Sequence, residues 1–113
     1  MNFIGIDLGT HGVKAAFLDD LGNPKVLTTD TGEPMLRSVV YFEDNGNILV
    51  GAEAENAGLV DPSRSVANWK RHMGTEEVLY KAPSGKEYRA KDICAILSGK
   101  MKKIYEQRAP GRS

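Results

Sequence analysis

The sequence contains little that would indicate a disulfide-stabilised, membrane-embedded or nucleic-acid-binding protein. Its 113 residues include one cysteine, Cys94, which leaves no internal disulfide framework and no C-x-x-C metal or redox site. Its 15 basic residues balance 15 acidic ones, so no nucleic-acid footprint is indicated. The N-terminal apolar stretch is interrupted at Asp7 and is too short for a signal peptide or a membrane span. We expect a cytoplasmic globular domain in which Cys94 packs as a small hydrophobe.

Two widespread phosphate-binding motifs are also missing. The sequence contains neither G-x-x-x-x-G-K-[ST] nor G-x-G-x-x-G, and the run after the first glycines is apolar and reads as a strand. Phosphate binding by a helix N-terminus is therefore not the mechanism that we expect. What is present is an apolar strand that leads into Asp7-Leu8-Gly9-Thr10-His11-Gly12, followed by a second strand from Val13 to Leu18. This pattern predicts a β-hairpin.

The turn of this hairpin carries the chemistry of a phosphate site. A carboxylate at the end of a strand, glycines that expose backbone N–H groups and a threonine hydroxyl suit a polyphosphate held through a divalent metal. The alternative is an ordinary hairpin turn with a solvated Asp7, since turns are commonly built from these residue types. Nucleotide phosphate is the leading ligand when the rest of the chain is considered.

The remaining elements follow from turn residues and apolar spacing. We predict strands at about 2–7, 12–18, 24–29, 37–43, 48–50, 79–81 and 87–89, and helices at about 52–58, 65–73 and 91–107. Gly58 is expected to end the first helix, and Gly74 to cap the second. The last helix carries an apolar stripe that is typical of a core-facing surface, formed by Ile93, Leu97, Met101 and Ile104.

Three segments carry a resemblance to a known family. GIDLGT resembles the first phosphate motif of the actin, sugar-kinase and DnaK-type chaperone superfamily. The segment from GEPMLRSVVYF to VANWKRHMG is similar to DnaK-type seventy-kilodalton heat-shock chaperones, and SGKEYRAKDICAILSGKMKKIYEQ looks like the hairpin and long helix that follow in them. The positions in register with the chaperone pattern are Gly32, Pro34, Ser38, Val39, Gly46, Leu49, Val50, Gly51, Ala54, Pro62, Lys70, Arg71 and Gly74.

The resemblance implies a fold and a domain division. The expected class is α/β, α+β within this chain, with an N-terminal antiparallel meander and a small α/β subdomain of a ribonuclease-H-like or actin-like ATPase lobe. Residues 1–31 would form the phosphate-binding hairpin sheet, 32–108 the small subdomain with its closing helix, and 109–113 a tail. Because the family's nucleotide-binding domain is several times longer, we expect this chain to be a fragment that does not turn over ATP alone.

The resemblance also implies the ligands and the roles of individual residues. ATP or ADP with Mg²⁺ would be bound, and unfolded client peptides and cochaperones would be partners of the full-length protein. Asp7 would hold Mg²⁺ through water, and Gly9, Thr10, His11 and Gly12 would contact phosphates. Gly12 stands where these chaperones normally carry a side chain.

Two further residue assignments complete the predicted site. Lys70, in W-K-R-H-M-G, matches the family's catalytic lysine and would reach the terminal phosphate and the attacking water, with the Thr10 hydroxyl nearby. His11 and His72 have no partner at metal-ligand spacing, so neither is expected to be a ligand or an acid–base group.

Two other functions stay open from the sequence. Gly12-Val13-Lys14 is also similar to carbohydrate kinases, in which G-T-x-G-x-K is common. Alternatively, the chain is a non-enzymatic interaction module with a degenerate nucleotide site. In that case an open edge at Phe3-Ile4-Gly5-Ile6 would favour a homodimer.

Overall fold

The first sheet is an antiparallel meander with one added short strand. The computed structural model describes residues 4–9, 11–29 and 31–108. Within these ranges, β1 (Ile4–Leu8), β2 (Gly12–Leu18) and β3 (Pro24–Val26) pair in order, and β4 (Leu36–Arg37) pairs with the first two residues of β2. The predicted meander is confirmed. Its third strand ends at Val26 and not at residue 29, because Thr29 belongs to a turn in which its N–H donates to Glu33 O at 2.7 Å.

The second sheet corrects the predicted strand 37–43. That segment is split: β4 ends at Arg37, and β5 (Val40–Phe42) pairs with β6 (Ile48–Val50) and β7 (Ser65–Val66) in another sheet. At the break, Val39 N–H donates to Arg37 O at 2.8 Å, while Val39 O accepts from Gly51 N–H at 3.0 Å. The predicted hairpin between β5 and β6 is confirmed, with Gly46 at φ 89° in its turn.

The first helix, α1 (Ala52–Val60), extends two residues beyond its predicted end. Gly58 is therefore an internal helix residue and not a C-terminal cap. Close packing explains why a glycine stands here, because a Cβ on Gly58 would lie 2.9 Å from Ser65 Oγ.

The predicted helix at 65–73 is wrong. Ser65 and Val66 form β7 against β5, and only Trp69–His72 forms a helical turn, which is of the 3₁₀ type. Two physical reasons are visible. Buried, β-branched Val66 pairs with Val40, and Asn68 adopts the left-handed conformation at φ 53°, which interrupts a helix. Gly74 lies at φ 82° two residues after the turn ends, but the cap of the turn is Met73 and not Gly74 as predicted.

The long helix α2 (Ala90–Arg108) forms the centre of the core. Asp92 supports its start, since its Oδ2 accepts from the Arg89 N–H at 2.8 Å. The predicted stripe is confirmed, because Ile93, Leu97, Met101 and Ile104 are each at most 1% exposed. They belong to one cluster with Trp69 and with the inward residues of β2, which are Val13, Ala15 and Phe17. Cys94 packs against this cluster as a partly buried side chain, as predicted.

A hairpin of β8 (Val78–Lys81) and β9 (Glu87–Arg89) joins the second sheet through aromatic rings. Phe42 stacks on Tyr80 with ring centroids 4.1 Å apart and an interplanar angle of 2°, and Tyr88 lies 4.6 Å from Phe42. The chain is thus a mixed α/β domain with antiparallel sheets and two α-helices in its described part. None of the helices described is long and apolar enough to cross a membrane.

Candidate functional site

The turn between β1 and β2 is closed by a backbone hydrogen bond. Gly9 N–H donates to Gly12 O at 2.9 Å. A Cβ on Gly9 would lie 2.9 Å from the same oxygen, so the turn has room for glycine only at this position. His11 is exposed at its tip, while Gly12 is buried at the start of β2. Thr10, a predicted phosphate and catalytic residue, lies outside the described residues.

The segment Met35–Ser38 holds this turn from one side. Ser38 N–H donates to His11 O at 3.2 Å, and its buried hydroxyl donates to Gly9 O at 3.4 Å. The Met35 side chain fills the volume that a Cβ on Gly12 would need, and the Leu36 carbonyl would lie 3.0 Å from that Cβ. Ser38 was part of the family pattern in the sequence, but no local spacing indicates this contact, because its partners are 27 and 29 residues away.

Arg37 links the same segment to the first helix. It donates to Glu33 Oε2 at 3.1 Å and to Glu55 Oε1 on α1 at 2.7 Å. The hydrogen bond from Arg37, then that from Thr31, lowers the pKa of Glu33 below its usual value, and the hydrogen bond and charge of Glu33 raise the pKa of Arg37. Arg37 therefore connects the Met35–Ser38 segment, which holds the turn, to the first half of α1. The sequence spacing gave no indication of this triad.

Lys70 approaches the turn from a distant part of the chain. Its Nζ donates to Leu8 O at 2.5 Å, 62 residues away in sequence. The side chain is exposed, but its neighbour Trp69 is 1% exposed and anchors the 3₁₀ turn in the core next to α2. Two segments that the sequence analysis singled out separately, the end of β1 and W-K-R-H-M-G, therefore meet in the structure.

Asp7 occupies an exposed position on β1, one residue before the carbonyl that Lys70 contacts. Among the described residues, there is no group of three or more His, Cys, Asp or Glu side chains that could together hold a metal. A metal ion at this strand end would have Asp7 as a carboxylate neighbour. Such a sparse site fits Mg²⁺, which keeps several waters and takes its other oxygens from substrate phosphates.

His72, the other histidine in the sequence, is engaged elsewhere. Its Nδ1 lies 3.3 Å from Glu77 Oε1, in the segment that leads into β8. The side chain is half-buried at the end of the 3₁₀ turn. Glu77 is thus a local structural partner of His72, and the described residues contain no group of three or more possible metal ligands around it.

Comparison with known proteins gives two findings. The family model described as Hsp70 protein matches residues 3–84, which include the turn, the Met35–Ser38 segment and Lys70. The chaperone protein DnaK of Thermotoga neapolitana is 37% identical over 104 residues, which is 91% of this chain and 17% of that relative. The chain thus spans about a sixth of the length of this relative. Neither finding favours a carbohydrate kinase or a non-enzymatic interaction module.

Proposed function

Because the chain belongs to the Hsp70 family, we propose that it forms the phosphate-binding part of a chaperone ATPase domain. The single observation that carries this proposal is the hydrogen bond from Lys70 Nζ to Leu8 O, which brings the lysine to the strand end that carries Asp7. A cation and a carboxylate at one glycine turn are the groups that a metal-bound triphosphate needs. The actin-like lobe is the architecture that we propose for the complete domain.

Each predicted site residue has a role in this proposal. Asp7 would accept hydrogen bonds from the water shell of Mg²⁺, and the backbone N–H groups of His11 and Gly12 would face phosphate oxygens. Gly9 would shape the turn around the phosphates, because its own N–H already donates to Gly12 O. The Thr10 hydroxyl is assigned to the terminal phosphate on the family resemblance alone. Bound Mg²⁺ would neutralise part of the triphosphate charge, which leaves the protein to position the phosphates and the attacking water.

Lys70 is the proposed catalytic residue. Phosphoryl transfer depends on positioning and on charge stabilisation more than on covalent help from the protein. The Lys70 ammonium is held at Leu8 O, at the residue that directly precedes the turn. We therefore assign Lys70 to the terminal phosphate and the attacking water, so that its loss affects hydrolysis more than nucleotide binding.

For the complete protein we propose an ATP-driven cycle in which unfolded client peptides and cochaperones bind outside this segment. We propose that this cycle operates in the cytoplasm. The matched relative bears the name of a chaperone, and this chain corresponds to 17% of it. We assign the turn to nucleotide binding, and we assign no residue of this chain to client binding. ATP hydrolysis by this chain alone is not expected.

A chimera tests the proposal directly. The chain replaces the matching segment of the Thermotoga neapolitana DnaK, and ATP binding and hydrolysis are measured by calorimetry and phosphate release. We expect Lys70→Ala to reduce hydrolysis by about 100-fold, as for the loss of one electrostatic group at a reacting centre, with nucleotide affinity changed several-fold at most. Lys81→Gln, at an exposed lysine of the β8–β9 hairpin, is the control. A folded chimera that binds no ATP would refute the proposed function.

The predicted homodimer stays a prediction without support from the comparisons. Among the described residues β1 pairs with β2 alone, and Ile6 on it is 38% exposed. Strand edges of this kind pair readily with other strands. Light scattering of the chain at high concentration decides the matter, since a monomer there would exclude pairing through β1.

A further inference from the structure

Lys14 lies directly opposite Asp7 in the first sheet. The β1–β2 register pairs Asp7 with Lys14 and Leu8 with Val13. Cross-strand partners of an antiparallel pair point to the same face of the sheet, with Cβ atoms about 5 Å apart. The lysine and the proposed metal-binding carboxylate are therefore neighbours at the end of the hairpin that carries the turn.

The burial pattern of β2 fixes the face that carries Lys14. Val13, Ala15 and Phe17 are buried against α2, whereas Lys14 between them is exposed, as is Asp7 on β1. In the part of the chain that the structure describes, the Lys14 ammonium forms no hydrogen bond or ion pair. A lysine in this position carries a charge that is available to a ligand at the turn.

We propose that Lys14 is a second phosphate-binding cation of this site, which acts beside Lys70. This inference rests on the proposed function, because it takes the turn at Gly9–Gly12 as the phosphate site. A triphosphate next to Asp7 experiences repulsion from the carboxylate unless a cation lies between or beside them. Mg²⁺ supplies such a cation when bound, and Lys14 supplies one that is built into the chain. Binding of polyphosphate to this site is then partly independent of Mg²⁺.

The ligand class follows from the geometry. Lys14 lies opposite Asp7 on β2, and Lys70 Nζ contacts Leu8 O at the end of β1, so two lysines belong to one hairpin end. Such a pair suits a polyanionic, extended group such as a di- or triphosphate better than a lone carboxylate or a sugar hydroxyl. Tripolyphosphate is therefore the simplest probe, since it lacks the nucleoside and reports on the phosphate contacts alone.

The test follows backbone amide signals of the ¹⁵N-labelled 113-residue chain by NMR during titration with tripolyphosphate in EDTA, and then with ATP in Mg²⁺. We expect the amides of Gly9 and of residues 11–15 to shift on addition of tripolyphosphate. Lys14→Gln should raise the dissociation constant without Mg²⁺ about fivefold, as for one exposed charge-assisted contact, and by less with Mg²⁺ present. Lys14→Arg should keep the affinity of the original chain within about twofold.

The matched control is Lys81→Gln. Lys81 also faces a carboxylate across an antiparallel pair, Glu87, and is also exposed, but it belongs to the separate β8–β9 sheet. It should leave the dissociation constant unchanged. Lys14→Met, which keeps the apolar stem, is the second variant if the spectrum of Lys14→Gln shows altered packing.

The possible results distinguish a failure of the Lys14 role from a failure of the phosphate site itself. If tripolyphosphate shifts the turn amides equally in the original chain, in Lys14→Gln and in Lys14→Met, the inference is overturned while the phosphate site stands. If no amide of the turn responds to tripolyphosphate or to ATP in any variant, both the inference and the role of the turn are overturned. Weaker binding in Lys14→Gln with normal binding in Lys81→Gln supports the inference.

Discussion

Replacement of Gly12 by alanine tests whether Met35 and Gly12 are sterically matched. A Cβ at residue 12 would collide with Cγ and Sδ of Met35 and would lie 3.0 Å from the Leu36 carbonyl oxygen. Gly12 is not among the glycines with positive φ in the described residues, so the cost is steric and not a matter of backbone conformation. Overpacking of this kind costs about 1–3 kcal/mol. For a chain of this length, that corresponds to a loss of roughly 4 °C in Tm for each kcal/mol.

The double variant makes the reasoning specific. Met35→Ala removes the atoms with which the new methyl group collides, and truncation of this half-buried side chain should itself cost about 1 kcal/mol. If the collision is with Met35, Gly12→Ala in the Met35→Ala background should cost at least about 1 kcal/mol less than it does alone. Part of the cost remains, because the Leu36 carbonyl belongs to the β4 backbone and cannot move aside.

Urea unfolding followed by circular dichroism measures these free energies. Gly5→Ala is the matched control, since Gly5 lies in the neighbouring strand and has no atom within 4 Å of an added Cβ. It should change the free energy of unfolding by less than about 0.5 kcal/mol. A Gly12→Ala variant as stable as the original chain, or additive effects of Gly12→Ala and Met35→Ala, would refute the steric match.

Two further predictions concern the Arg37 triad and the helical glycines. The folded pKa of Glu33 is lowered by Arg37, so this contact stabilises the fold above the unfolded pKa and is lost as pH falls below the usual value of 4.5. The urea midpoint of Arg37→Gln should therefore depend less on pH between about pH 5 and 3 than that of the original chain, and parallel curves would contradict this. Gly99→Ala, at an exposed position of α2 with open space around it, should stabilise the chain by about 0.5–1 kcal/mol. Gly58→Ala should destabilise the chain, because the added methyl group would lie against Ser65. Thermal unfolding of both variants decides this, and an equal gain in both would count against the Gly58–Ser65 contact.

Local patterns predicted the elements whose structure depends on local chemistry. The hairpin around Gly9 and Gly12 follows from an apolar–turn–apolar order, and α2 follows from apolar residues four and three positions apart. The face that each of them buries follows from the apolar periodicity of its own segment. The prediction of these elements from sequence is confirmed by the positions of β1, β2 and α2.

Pairing between distant segments explains what the patterns missed. The run from Arg37 to Glu43 has four consecutive β-branched or aromatic residues at its centre, residues 39–42, so nothing local reveals that its two halves join different sheets. Val66 is drawn into a strand by Val40, 26 residues earlier, although the segment around it favours a helix by composition. In each case tertiary contacts override a local preference.

In the candidate site, too, local patterns predict individual residues, whereas distant contacts determine how these residues come together. Asp7, Gly9 and Gly12 were identifiable from the turn itself, and Lys70 from the family resemblance. Their proximity depends on the packing of Trp69 into the core, which no spacing reveals. In the sequence, Lys14 is only a feature shared with carbohydrate kinases, and its place opposite Asp7 depends on the strand register.

The burial of Trp69 gives this protein an optical reporter of its own. It is the single tryptophan of the chain, it is almost fully shielded from water, and it shares a helical turn with Lys70. Indole emission shifts to longer wavelength when water reaches the ring, and the fluorescence of the unlabelled chain therefore arises beside the candidate site. We expect a ligand at the turn to alter this emission if the Trp69–His72 turn shifts together with Lys70, and titration of the unlabelled chain measures that change.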